Sequence, residues 1–136
     1  MEVDYRGWPS WARSSGRDTH VGMHPEHAWI EELGAAVTVT DEHGTIVAMN
    51  ARACATFAKD GGMALVGKRV FDCHPEHTQG TIRALYENHQ PNHYTISKGG
   101  VRKIIHQMPW FRGGAFAGFV EISVPIPATM DHFDRG

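Results

Sequence analysis

Residues 33–50, LGAAVTVTDEHGTIVAMN, decide how the rest of the chain is read. Val37 and Val39 alternate with Thr38 and Thr40, the two-residue period of a strand that buries one face. Asp41-Glu42-His43-Gly44 breaks the run with turn formers, and Gly44 supplies the positive φ that side chains resist. Residues 45–49 return as a second strand. Asn50 then places a side-chain oxygen at the head of a helical run over residues 51–58, ARACATFA. A hairpin, an asparagine cap and a helix follow one another without a spacer.

Upstream, residues 23–33 read as a leading helix. Pro25 suits its first turn, Glu26 sits near its positive end, and Trp29, Ile30 and Leu33 share one face. Residues 1–22 show no period and read as an extended or mobile arm. Its Trp8, Pro9 and Trp11 are expected to pack on the domain body or on a second subunit, since large aromatics are unfavourable in water.

Downstream, residues 59–77 suggest short helical turns separated by glycines. A longer helix is predicted over 76–90, EHTQGTIRALYENHQ, burying Ile82, Leu85 and Tyr86, with Gly80 as a weak helix former. Three strands close the chain, at 92–98, 101–111 and 115–126, joined by Gly99-Gly100 and Gly113-Gly114. Pro109 lacks a ladder donor, so it marks an edge position or a bulge. The order is two strands, several helices and three strands. It predicts an α+β fold, a five-stranded antiparallel sheet with short helices on one face and an N-terminal helix.

Bulk properties narrow the function. At 136 residues the chain is long enough for one core. The expected division is an arm (1–22), a single domain (23–127) and a tail (128–136). Thirteen basic and fifteen acidic side chains nearly balance, which argues against nucleic-acid or membrane-surface partners. No apolar run has transmembrane length, and the N-terminus lacks the apolar segment of a secretion signal, so a cytoplasmic location is expected. Two cysteines, Cys54 and Cys73, are too few for a disulfide scaffold and fit a reducing compartment. The ten histidines read mainly as scattered surface residues.

Four segments, in order, resemble the PAS family of sensor domains. They are TDEHGTIVAMNARA at the opening hairpin, LVGKRVFDCHPEH before the long helix, the glycine turn between the last two strands, and AGFVEISVPI. The DCHP version is most similar to the PAS module of bacterial proteins fused to hemerythrin-like domains. The resemblance spans nearly all of 33–126 and implies a pocket between the inner sheet face and the helices. By alternation its candidate lining is Val37, Val39, Ile46, Phe57, Val70, Phe71, Ile82, Tyr94, Ile104, His106, Met108, Phe119 and Glu121. The same residues equally suit a filled core.

Chemistry-bearing residues are few. Cys73, His74 and His77 offer a thiolate and two imidazoles within five residues, a set suited to zinc, with His89 or His106 as a fourth ligand from elsewhere. The competing reading is helix capping, because His-Pro-Glu-His also opens the helix at 24–27 without a cysteine, and Asp72 is a candidate cap. Family resemblance also raises heme, with His77 or His89 as axial ligand; no Cys-x-x-Cys-His exists for covalent attachment. Flavin photochemistry is not expected, since Val70-Phe71-Asp72 follows Gly67-Lys68-Arg69 where light-sensing relatives carry their reactive cysteine segment. Hydrolase and phosphate-binding motifs are absent, leaving Glu121 and His106 as the sole acid–base candidates for an enzyme. No kinase, cyclase or DNA-binding module follows the last strand, so output is expected through a second copy or a partner protein. The expected function is that of a cytoplasmic, non-enzymatic PAS sensor that binds a small ligand and signals as a homodimer through its leading helix. A metal or heme redox sensor and a ligand-free dimerisation module are the alternatives.

Overall fold

The computed structural model describes residues 27–136. The expected arm and the first residues of the predicted leading helix lie outside them. What is described of that helix is one turn, α1 (Ala28–Glu31). Then follow β1 (Ala36–Thr40), β2 (Ile46–Met49), α2 (Ala51–Thr56), and three 3-10 turns at Ala58–Asp60, Gly62–Leu65 and Val70–Cys73. The long helix α3 spans Glu76–Asn88, and β3 (Asn92–Lys98), β4 (Val101–Arg112) and β5 (Ala115–Ile126) complete the chain. The strands form one antiparallel sheet in the order β2-β1-β5-β4-β3. The fold class is therefore the α+β, PAS-like arrangement expected from the sequence.

Asn50 ties the opening together. Its side chain is fully buried, and an amide there must use all of its hydrogen-bonding groups. Oδ1 accepts from the N–H of Ala53 at 3.0 Å, capping α2, and from the N–H of Val37 at 2.9 Å in β1. Nδ2 donates to the carbonyls of Ala35 at 2.8 Å and Ile30 at 2.9 Å. One side chain thus fastens a helix, a strand and the segment that enters it. Ala36, Ile46, Met49, Ala53 and Leu65 form the core beside it, with Phe57, Val66 and Val70 packed around them.

The edge at β2 is covered by the chain that leads to α3. Ile46 N–H bonds to the Lys68 carbonyl, Gly67 N–H to the Ile46 carbonyl and Val70 N–H to the Gly44 carbonyl, each at 2.8 Å. These bonds remove an open template for strand addition. Gly118, at φ 140°, is where β5 crosses the end of β1; a Cβ there would lie 1.9 Å from the Thr40 carbonyl oxygen. No other residue type fits that approach.

Pro109 occupies the first of the situations foreseen for it, an edge position, and a bulge follows one residue later. β3 ends opposite Gln107, so the last part of β4 has a free side, and the β4–β5 register shifts between Trp110 and Phe111. The long helix stops two residues earlier than predicted. His89 adopts a left-handed conformation (φ 55°) and its N–H closes on the Leu85 carbonyl at 2.8 Å. Asp72 does not cap α3. Pro75 occupies the cap position with no side-chain bond, and Thr78 Oγ1 instead donates back to the Pro75 carbonyl at 2.9 Å.

Candidate functional site

A cavity of about 150 Å³ lies between the inner face of the sheet and the cover formed by α2, the 3-10 turns and α3. Thr38 and Thr40 of β1, Met49 of β2, Gln107 of β4, and Phe119 and Glu121 of β5 form its floor. Phe57, Leu65, Val70, Ile82, Leu85 and Tyr86 roof it, and the exposed Asp60, Cys73 and His74 stand at its rim.

Register explains the floor. Thr38 pairs with Glu121, and Glu121 with Gln107, which pairs with Asn92 on β3. Residues directly opposite in an antiparallel sheet point to the same face. The row is joined by side chains: Asn92 Nδ2 donates to Gln107 Oε1 at 2.8 Å, and Gln107 Nε2 donates to Glu121 Oε2 at 2.9 Å. A polar ladder therefore runs from the outermost strand to a carboxylate in the cavity.

Tyr86 is the main link between α3 and the sheet. Its hydroxyl hydrogen-bonds to the Thr40 hydroxyl, and its ring touches Phe119 (4.9 Å between centroids) and Phe71 (5.4 Å). Thr40 Oγ1 also accepts from the Phe119 N–H at 3.1 Å, and the Thr40 carbonyl accepts from Trp110 Nε1 at 2.9 Å. Burial pushes the Tyr86 phenol up to about 12; Thr40 opposes the rise, while Asp41 and Glu121 add to it. The Tyr94 phenol is raised by burial and by Glu121. The Cys73 thiol is raised by burial, against Lys68, with Asp72 and Asp60 adding to the rise. A raised thiol is a poor nucleophile and a poor metal ligand at neutral pH.

Of the residues predicted to line a pocket, Ile46, Phe57, Val70, Ile82, Phe119 and Glu121 come together around this cavity. Val37, Val39, Ile104, His106 and Met108 do not. Thr38, Gln107 and Glu121 occupy the inner face, so these neighbours point outward, where Val37 pairs with Ile122 and Ile122 with His106. Phe71 is buried beside Gly44 and Tyr86, behind the lining. Tyr94 shares the inner face through its pairing with Ile105 but stands largely exposed beyond the cavity wall. Thr38, Thr40, Met49, Leu65, Leu85, Tyr86 and Gln107 were not among the predicted lining. The helix spacing had already put Leu85 and Tyr86 on a buried face.

The proposed metal ligands do not assemble. Among the described residues no three His, Cys, Asp or Glu side chains are placed to hold a metal ion. His74 Nδ1 is hydrogen-bonded to the Val70 carbonyl at 2.7 Å, and His77 is exposed in the first turn of α3. His89 stacks on Phe116 at 3.8 Å, outside the cavity lining. Heme does not fit this arrangement either. Neither candidate axial histidine faces the cavity, and a volume near 150 Å³ is that of a benzene-sized site. Glu121 and His106 point to opposite faces of the sheet, and His106 Nδ1 lies 2.7 Å from His93 Nδ1 on the outer side. They cannot act together on one substrate.

The family model for the PAS fold matches residues 30–98, and the chain belongs to the PAS family. No curated protein matches it. Among solved structures it is similar to the C-terminal domain of a Streptococcus mutans protein (TM-score 0.58, 16% identity, covering 71% of this chain and 78% of that one). It is also similar to the Vibrio cholerae Aer2 receptor, described as a dual PAS-heme oxygen sensor (0.54, 17% identity, 68% and 95%). The PAS domain of the histidine kinase ThkA is a third (0.53, 18% identity, 68% and 99%). The last two come from a receptor and a histidine kinase; at such identities all three establish the fold alone.

Proposed function

We propose that this chain is a sensory PAS module that binds one small ligand in its cavity and reports occupancy through a second copy or a partner protein, without catalysis. The observation that carries this reading is the cavity itself. It combines an apolar roof with a few convergent polar groups, Glu121, Gln107, Thr38 and Tyr86, the composition of a ligand site. Its size restricts the ligand to roughly one ring, which argues against the heme alternative. A ligand here would touch α3 and β5 together. It would favour whichever packing of the helix on the sheet it binds more tightly.

A homodimer through the leading segment is part of the same reading. Trp29 is 67% exposed, and Ile30 beside it is anchored by Asn50. An indole so open to water is a natural contact for a partner. The expected unit is residues 23–127, working in the cytoplasm.

Native mass spectrometry of freshly purified protein tests the proposal. The expected spectrum is a dimer carrying a small organic adduct that dissociates on activation. Ile82→Phe, which fills the cavity, is expected to lose the adduct and to raise the melting temperature of the unliganded protein. A bare protein, with no stabilisation by Ile82→Phe, would leave only the dimerisation module.

A further inference from the structure

We propose that the ligand is a small organic cation, an ammonium or protonated nitrogen base on a body of about one ring, seated with its charge on Glu121. This names the ligand class for the cavity and rests on the reading of that cavity as a binding site.

The argument starts from the carboxylate. The lining contains no lysine and no arginine; its acidic members are Glu121 on the floor and Asp60 at the rim. Gln107 gives Glu121 one neutral hydrogen bond, to Oε2 at 2.9 Å. Asn92 donates to the Gln107 oxygen at 2.8 Å, which fixes the direction of the amide and keeps its nitrogen on Glu121. The ladder therefore orients the carboxylate without neutralising it. Among the described residues no cationic side chain pairs with Glu121.

A carboxylate at the floor of a mainly apolar cavity is costly unless it is paired. A cationic ligand supplies the missing partner. An anionic one meets like charge at Glu121, and the one imidazole of the lining, His74, stands exposed at the rim with its Nδ1 on the Val70 carbonyl. The aromatic walls agree with the choice. Phe57, Tyr86 and Phe119 surround the space, and ring faces attract cations. The field of Glu121 also reaches the phenols of Tyr86 and Tyr94, where it adds to the effect of burial in keeping them protonated. Size sets the remaining limit, since a cavity of about 150 Å³ admits an aromatic ring and little more.

Three probes of one shape and different charge test this: benzylamine, benzyl alcohol and benzoate, titrated calorimetrically into the full chain and into Glu121→Gln. Benzylamine is expected to bind about tenfold tighter than benzyl alcohol, and benzoate not to bind. Glu121→Gln is expected to bring benzylamine down to the level of benzyl alcohol while leaving benzyl alcohol unchanged, which also shows that the variant is folded. Benzoate binding as well as benzylamine, or benzylamine failing to bind, overturns the cation assignment. If benzyl alcohol still binds, the cavity remains a ligand site of another class; if none of the three binds, the ligand-site reading falls as well.

Discussion

Asn50 shows how far a single residue can be read from its neighbours. Its role as a helix cap is local, three residues from Ala53, and was legible from the residues that follow it. Its bonds to Ile30, Ala35 and Val37 are not local, and nothing in the sequence marks them. Asn50→Ala removes four hydrogen bonds and leaves buried donors and acceptors unpaired. It is expected to cost about 3 kcal/mol in urea denaturation, and Asn50→Ser, which keeps the cap bond, to recover about 1 kcal/mol of it. A cost no larger than that of an exposed cap would show that the nonlocal bonds contribute little. Gly118 makes the same point. The family ending AGFVEISVPI contains it, but the reason for a glycine, the approach of the Thr40 carbonyl, exists only once β1 and β5 are paired.

At the scale of elements, strand and helix identities were legible because period and punctuation are local. The facing of β1 was not. Alternation separates two faces without saying which is inner, and the lining expected from it takes Val37 and Val39. In fact the threonines face it. Thr40 is buried because its hydroxyl is satisfied by Tyr86 and by the Phe119 N–H, and only the tertiary structure provides those partners. Burial of Tyr86, against the opposing bond from Thr40, gives α3 its pH dependence. The Tyr86 phenol lies near 12 in the fold against 10 in an open chain, so the fold favours the protonated form. Its contribution is present in full below about pH 10 and is lost as pH rises toward 12. Stability measured across that range is expected to fall. Tyr86→Phe should flatten the fall and cost about 1 kcal/mol at neutral pH through the lost hydrogen bond. An unchanged alkaline profile in Tyr86→Phe would assign the effect to another group.

At the scale of the molecule, the five-stranded sheet with its helical cover followed from the order of elements, and the cavity followed from the family. Of its floor, Phe119 and Glu121 followed from alternation, while Thr38, Thr40, Met49 and Gln107 did not, because Gln107 and Glu121 become neighbours only through the β4–β5 register. How copies associate is a question for solution measurements. With Trp29 as the contact, light scattering after size exclusion is expected to give a dimer at micromolar concentration and a shift toward monomer in Trp29→Ala. A wild-type monomer under those conditions would remove the dimer.

The strand order carries a last consequence. β1 emerges early in synthesis, yet its neighbour in the middle of the sheet is β5, the final strand. A lone two-stranded hairpin is marginal in water, so the nascent chain holds an unfinished sheet until β5 has cleared the ribosome. The sheet then closes only once β5 is available, and a chain cut before Val120 leaves the opening hairpin without its central partner.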